Sequence, residues 1–397
     1  MQAASQTHCN SRIQIEWTSG GCTARAMAQV LQQLHMRGLH DQLRQSPLQA
    51  TALVYSLLLA CPVILLLLAR RCATSAAARK KERLLRMLPS PPHWLPVIGH
   101  LHLVGRLPHV SLRDLAADHS RGGLMLLRLG AVPTLIVSSP RATEAVLRTH
   151  DHVFASRACS PVTDILFYGS TDVSFAPYGE HWRQVKKIAT THLLTNKKVR
   201  VYRHAHEQEV RLVMEKTHEA AVAGATIDLS SLLSSYTNDV VCHAVSGKFF
   251  REEGRNKLIQ ELVEANSSLI GGFNLEDYFP ILVKLDLFKR MLCAKALKVN
   301  ERWNELLDKL IGDHERRLAS QHGDEESDFI DVLLSVQEEY NLTRDHIKAQ
   351  LEIMFEAGTD TPYIVLEYAM IKLMQNPNIM TKLQTELRMT DDCTDRK

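Results

Sequence analysis

The sequence has few cysteines, and none of them lies in a spacing typical of metal binding or of a disulfide framework. Eight cysteines occur in 397 residues, with no C-x-x-C motif and no close pair. This distribution argues against a structural zinc site and a disulfide scaffold, and it fits a reducing compartment. His-Glu pairs occur at 206–207, 218–219 and 314–315, but none extends to H-E-x-x-H, so the sequence does not match that class of metalloprotease.

An excess of charge of either sign is also missing. The 47 Lys and Arg residues against 44 Asp and Glu residues give a formal net charge of +3, which provides no basis for nucleic-acid binding. Hydrophobic residues make up 45% of the chain, enough to bury a large core in one domain or in two smaller ones. We therefore expect a folded protein with no nucleic-acid partner.

Charge is absent altogether from residues 50–69, which read ATALVYSLLLACPVILLLLA. A helix of this length spans a bilayer core of about 30 Å. Seven basic residues follow between Arg70 and Arg86, so the positive-inside rule predicts a transmembrane anchor with the C-terminal body in the cytoplasm. A cleaved signal peptide is the alternative, but the segment is long for one and begins far from Met1. Residues 1–49 are expected to be a disordered extension.

Residues 70–99 are first basic and then rich in proline, with PSPPHWLP at 89–96. Proline fixes φ and stiffens the chain, so this stretch is predicted to be a hinge between the anchor and a body at 100–397. In the body, Leu124–Leu129 and Pro133–Val137 predict a short hairpin. The pattern from about 180 to 375 is mostly helical. The sequence therefore predicts a mainly α body with a small β-sheet.

Residues 355–361, Phe-Glu-Ala-Gly-Thr-Asp-Thr, interrupt a long apolar helical pattern with poor helix formers. Ala357 and Gly358 are small enough to let a helix pass close to a flat cofactor, where Asp360 and Thr361 would offer a carboxylate and a hydroxyl. The alternative is that Thr361 bonds back to the carbonyl one turn earlier and that Asp360 lies on the surface.

A second pattern, YGEHWRQVKK at 178–187, places Trp182 and Lys186 four residues apart on one helix face. An indole N–H and a nearby cation suit a pair of carboxylates. A core tryptophan beside a solvated basic face is the alternative. Two further stretches, 156–172 with Phe167 and 266–279 with Phe273, are candidates for a substrate pocket, since loops on a rigid scaffold commonly line one. An ordinary core loop is equally compatible with either.

In this order along the chain, the basic-flanked anchor, the P-P-x-x-x-P-x-x-G hinge, the Trp-Arg helix and the A-G-T-D-T turn resemble microsomal plant members of the cytochrome P450 family, the haem-thiolate monooxygenases. The sequence is similar to grass members that hydroxylate indole-derived benzoxazinoid precursors. The resemblance implies a P450 fold preceded by one transmembrane helix, in the endoplasmic reticulum membrane. It also implies haem b, electrons from NADPH through NADPH-cytochrome P450 reductase, and insertion of one oxygen atom from O2 into a small apolar substrate.

The resemblance further assigns roles to single residues: proton delivery to Asp360 and Thr361, haem contacts to Trp182, Lys186, Ala357 and Gly358, and substrate contacts to Phe167 and Phe273. In the family, an E-x-x-R pair and a haem-ligating cysteine in F-x-x-G-x-R-x-C follow the oxygen-binding helix. Neither follows that helix here, because E-x-x-R letters at 252–255 lie before it and the surroundings of Cys393 do not match. The expectation is an incomplete P450 domain with no metal ligand, for which a catalytically inactive, membrane-anchored fragment is the alternative function.

Overall fold

The structure, a computed structural model, describes residues 76–158, 160–320 and 327–394. The chain divides into one unit up to Met87 and a second from Leu88 onward. Helix α1, Ala76–Leu85, is the described part of the first unit. Within the described ranges, no helix is long and apolar enough to cross a membrane. The predicted extension at 1–49 and the predicted anchor at 50–69 lie outside the described residues.

The second unit is mainly helical, and its α-helices follow one another along the chain as α2 Pro108–His119, α3 Pro140–Glu144, α4 Asp151–Phe154, α5 Pro161–Leu166, α6 Glu180–Ile188, α7 Asn196–Val201, α8 Arg203–Val222, α9 Leu229–Ser246, α10 Arg255–Ile270, α11 Leu275–Tyr278, α12 Asp286–Leu292, α13 Ala294–Ala319, α14 Phe329–Ser335, α15 Arg344–Gln375 and α16 Pro377–Thr394. Shorter 3-10 turns span Leu101–Leu103, Gly247–Gly254 and Leu282–Lys284, and π turns span Ala145–Thr149 and Ala189–Leu193. The predicted helical body is confirmed.

The predicted hairpin is also confirmed, with strand β1 at Leu124–Leu129 antiparallel to β2 at Val132–Val137. Met125 and Leu127 are buried and pack with α2. The proline-rich stretch is fastened to this sheet, because the Pro89 carbonyl accepts a hydrogen bond from the Leu126 N–H at 2.8 Å. Residues from Leu88 onward therefore belong with the hairpin.

The main core is formed where α9, α10, α13, α14 and α15 meet. Trp303 of α13 and Phe355 of α15 are fully buried there, with ring centroids 6.1 Å apart and nearly parallel planes. Helix α15 runs for 32 residues, and its two halves differ in environment. Its first half is buried, whereas Ile364 and Val365 in the second half are 55% and 66% exposed. The turn at 357–361 lies where the core ends.

Candidate active site

Helix α15 carries the 357–361 turn on a continuous backbone. A capping box starts the helix, with the Thr343 hydroxyl accepting from the His346 N–H at 3.2 Å. The helix continues through Pro362, which has no N–H to donate to the Gly358 carbonyl. Thr361 is exposed, and its hydroxyl donates to the Ala357 carbonyl at 2.6 Å. For Thr361 the structure therefore shows the back-bonded alternative.

Ala357 and Thr361 are both exposed and lie four residues apart, so they share one face of the helix. Gly358 lies elsewhere. A Cβ atom on Gly358 would come within 2.7 Å of Val241 Cγ2 on α9, so the missing side chain lets α15 pack closely against α9. The structure thus places Gly358 in a helix contact, while Ala357 and Thr361 form the accessible small-residue surface.

Asp360 faces helix α10 rather than open solvent. Its Oδ2 accepts from the Ser267 hydroxyl at 2.5 Å, and Oε1 of Glu356 lies 2.7 Å from the same hydroxyl oxygen. One turn earlier, Oε1 of Glu352 accepts from Asn266 Nδ2 at 2.8 Å. We call Glu352, Glu356 and Asp360, together with Asn266 and Ser267, the acid ladder. Of its members, only Asp360 was given a role from the sequence. The contacts of the other four were not predicted, although an acid at every fourth position of an apolar helix is a signal visible in the sequence.

Burial dominates the electrostatics of the acid ladder. It raises the pKa of Glu356 to about 7, opposed by the hydrogen bond from Ser267 and assisted by the charge of Asp360. Burial also raises the pKa of Glu352 well above its ordinary value, and the charges of Glu356 and Asp172 add to that effect. Asp172 is itself buried, which raises its pKa to about 6 against the N–H groups of Ser174 and Phe175. Burial therefore shifts the carboxyl groups of Glu352, Glu356 and Asp172 towards their protonated forms.

Trp182 and Lys186 lie on one face of α6, as the spacing predicts. The Trp182 indole N–H donates to the Val173 carbonyl at 2.9 Å, and Lys186 Nζ lies 4.5 Å from the centre of the Trp182 ring. Trp182 is half-buried and Lys186 is exposed. The indole N–H already donates to a carbonyl. Of the two side chains, Lys186 is therefore the one that can bind an anion.

The two predicted substrate residues are not brought together. Phe167 is fully buried and stacks on Phe175 with ring centroids 5.1 Å apart, so it belongs to a core cluster. Phe273 is 68% exposed and stacks on Tyr278 at 4.9 Å. The described contacts place neither ring beside Ala357.

The described residues fit a haem in two respects. Ala357 and Thr361 leave the α15 backbone open to a flat ring, and Lys186 offers an exposed cation for a carboxylate. Cys242 and Cys293 do not fit the role of the iron ligand. Burial raises the pKa of the Cys242 thiol well above its ordinary value, and burial with the charge of Glu276 raises that of Cys293 to about 11. Both are thiols at neutral pH, so neither offers the thiolate that the resembled family uses.

One more cluster brings metal-ligand types together. His314, Asp328 and Asp331 lie close to one another and are buried, and Arg317 contacts both carboxylates. We call these four residues the ion cluster. His314 Nδ1 lies 2.6 Å from the Leu310 carbonyl and Nε2 lies 2.8 Å from Asp328 Oδ2. Because both partners are acceptors, both ring nitrogens donate, and no imidazole lone pair is left for a metal.

Comparisons with known proteins identify the family of the chain. The sequence model described as Cytochrome P450 matches residues 89–390. A Zea mays protein named indole-2-monooxygenase is 56% identical over 308 residues, which are 77% of this chain and 57% of the relative. The Zea mays indolin-2-one monooxygenase is 53% identical over 320 residues, covering 80% of this chain and 60% of its own length. The chain thus spans less than two thirds of these relatives.

A solved zebrafish cytochrome P450 with progesterone superimposes with a TM-score of 0.59 at 21% sequence identity. The match covers 73% of this chain and 65% of that structure, and it shows a shared fold. Since the family match extends over more than half of the residues and the Zea mays relatives exceed half identity, the chain belongs to the cytochrome P450 family.

Proposed function

We propose that this chain carries the oxygen-handling part of a haem-dependent monooxygenase that inserts one oxygen atom from O2 into a small apolar, indole-derived plant metabolite. The observation that carries the proposal is the accessible surface of Ala357 and Thr361 on α15, with Asp360 directly before Thr361 in the same turn. The names of the Zea mays relatives, an indole-2-monooxygenase and an indolin-2-one monooxygenase, support the substrate class.

Haem, when bound, supplies oxygen binding and electron transfer. The residues of this chain would then act around it. Ala357 would leave room for the ring, and Lys186 would pair with one of its carboxylates. Asp360 would pass protons towards Thr361, whose hydroxyl donates to the Ala357 carbonyl in this structure. Electrons would come from NADPH through NADPH-cytochrome P450 reductase.

The membrane orientation is part of the proposal, with the anchor at 50–69 in the endoplasmic reticulum membrane and the body in the cytoplasm. Two sequences fit the N-glycosylation pattern, at Asn266 and Asn341. Asn266 is fully buried, so only the exposed Asn341 can report the side of the membrane. Expression with microsomes should leave Asn341 unmodified, and an endoglycosidase-sensitive mass shift that Asn341→Gln removes would reverse the orientation.

The activity is tested in a chimera in which the residues after Arg388 are replaced by the corresponding C-terminal part of the Zea mays indole-2-monooxygenase. Microsomes with this chimera, reductase, NADPH and indole are incubated under isotopically labelled O2. We expect a hydroxylated product that carries one labelled oxygen atom, and less of it from Thr361→Ala. A haem-loaded chimera that forms no product from indole or its oxidised derivatives would refute the substrate class.

A further inference from the structure

The acid ladder places three carboxyl groups along one face of α15. Glu352, Glu356 and Asp360 are spaced by four residues, and α10 meets them with Asn266 and Ser267. Asn266 donates to Glu352 at 2.8 Å. Ser267 lies between Glu356 and Asp360. Glu356, Ser267 and Asp360 therefore form a connected set of contacts that ends at Asp360, beside the exposed Thr361, and the Asn266–Glu352 pair lies one turn earlier.

The number of hydrogens available at Ser267 indicates that Glu356 or Asp360 carries a proton. The hydroxyl oxygen lies 2.7 Å from a Glu356 oxygen and 2.5 Å from an Asp360 oxygen, but a serine hydroxyl has one hydrogen to donate. If both acids were ionised, one short contact would set an oxygen lone pair against a carboxylate. A proton on one of the two acids turns that contact into a second hydrogen bond.

Buried, unpartnered oxygen atoms lead to the same conclusion. Among the described residues, Glu352 Oε2, Glu356 Oε2 and Asn266 Oδ1 have no hydrogen-bond partner, and the side chains of Glu352 and Asn266 are fully buried. Within the described ranges, no Lys or Arg side chain forms an ion pair with Glu352, Glu356 or Asp360. An ionised carboxylate in such a place is costly, whereas a carboxylic acid supplies a donor that these acceptors lack.

We propose that Glu356 is the proton donor to Asp360, that the Ser267 hydroxyl transmits the proton, and that Glu352 and Asn266 position the pair. This rests on the proposed function, because it names the source of the protons that Asp360 would deliver. In the step, the Glu356 O–H bond breaks as its proton passes to Ser267 Oγ, and the Ser267 hydroxyl proton passes to Asp360. Glu356 becomes a carboxylate, Asp360 becomes an acid and Ser267 is unchanged. Half-buried Glu356 recovers its proton from water.

The first test needs no haem and uses the full chain. Infrared spectra of protein labelled with carbon-13 at the glutamate carboxyl carbons should show protonated carboxyl bands at neutral pH. One of them should titrate with a midpoint near that given by the pKa of Glu356, about 7. Glu356→Gln should remove this band, and Ser267→Ala should shift its frequency and midpoint. If the wild-type chain shows no protonated glutamate carboxyl at neutral pH, the proposal is overturned.

A matched control exists on the same helix. Ser230 of α9 donates to Glu367 of α15, which is a serine–carboxylate contact outside the ladder. Ser230→Ala should leave the titrating band unchanged. An equal shift in Ser230→Ala and Ser267→Ala would show a general effect of packing and would also overturn the assignment.

The second test asks whether the proton reaches the site, and it uses the chimera described above. Glu356→Gln should raise the hydrogen peroxide released per NADPH consumed and should increase the solvent deuterium isotope effect on product formation, while Ser230→Ala should change neither. Parent-like values in Glu356→Gln, in a chimera that forms product, would refute the relay alone. A titrating band in a chimera that forms no product would instead refute the proposed function and leave the proton pair standing.

Discussion

The ion cluster and the acid ladder are both buried groups of carboxylates, but they differ in what neutralises them. In the ion cluster, Asp328 and Asp331 meet the Arg317 guanidinium and the doubly donating His314. Asp328 also caps α14 by accepting from the Asp331 N–H at 3.0 Å. In the acid ladder, the partners that carry the contacts are the neutral Asn266 and Ser267.

This difference separates a structural role from a chemical one. Fixed cations stabilise ionised carboxylates and hold helices in place, and the loss of one partner leaves the others buried without compensation. Carboxyl groups without cations keep protons near neutral pH, which is the property that a proton donor needs. We therefore expect substitutions in the ion cluster to change stability and substitutions in the acid ladder to change its dependence on pH.

The largest effect is expected for Asp328→Ala. This change removes the cap of α14, the partner of His314 and a contact of Arg317, so unfolding free energy should fall by about 3 to 5 kcal/mol in urea melts. Asp228→Ala is the matched control, because Asp228 is an exposed N-cap whose side chain accepts from the Ser231 N–H of α9. It should cost about 1 kcal/mol. Similar losses for the two variants would remove the ion cluster from the account.

The pH dependence of stability should come next in size. The pKa of Glu356 is about 7 in the folded chain and 4.5 as the ordinary value, so the folded state binds more protons between these two limits. Stability contributed by the group is complete below pH 4.5 and falls as pH rises towards about 7. The total change is about 3 kcal/mol at most.

Glu356→Gln should flatten this part of the curve. His314 affects only the upper end of this range, because its hydrogen bond to Asp328 and the charge of Asp328 outweigh burial and raise its pKa above the ordinary 6.5, so its stabilisation is lost only as pH rises beyond that value. The difference between wild type and Glu356→Gln at each pH isolates Glu356. Urea melts from pH 4.5 to about 7 that give parallel curves would contradict a raised Glu356 pKa.

A smaller effect tests how the ladder helix is held. Gly358→Ala brings a Cβ atom within 2.7 Å of Val241 Cγ2, and valine in a helix has little freedom to turn away. We expect a loss of about 1 kcal/mol, restored when Val241→Ala is added. Gly312→Ala in α13 is the control, since its Cβ would meet no atom within 4 Å. It should stabilise by up to about 1 kcal/mol, and a similar gain in Gly358→Ala would contradict the close contact.

Reading the sequence placed the hairpin and the helical body correctly, because alternation, helical periodicity and turn residues act locally. It also put Trp182 and Lys186 on one face. It did not show that the Trp182 N–H is used by the Val173 carbonyl, nor that Gly358 contacts Val241, because these partners come from other elements. The spacing of the acid ladder is local and visible, but whether it meets solvent or α10 is decided by packing.

Phe167 illustrates the same limit. Its position in a loop-rich stretch suggested a substrate contact, yet it follows α5 directly and packs into a buried cluster. Loop composition predicts where a pocket could form and not which side chain turns inward. The roles given to Ala357, Asp360 and Thr361 by resemblance remain predictions, supported by their exposure and contacts.

The claim that haem lies against the Ala357 and Thr361 surface has one direct measurement. Phenylalanine is introduced in the chimera at Ala357 and, as a control, at Ala369, an exposed alanine about 18 Å further along α15. Haem content is then read from the difference between the spectra of the reduced protein with and without CO, and thermal melting checks the folding. We predict that Ala357→Phe loses the haem-thiolate band while melting like the parent, and that Ala369→Phe keeps it. Full haem content in Ala357→Phe would contradict the account.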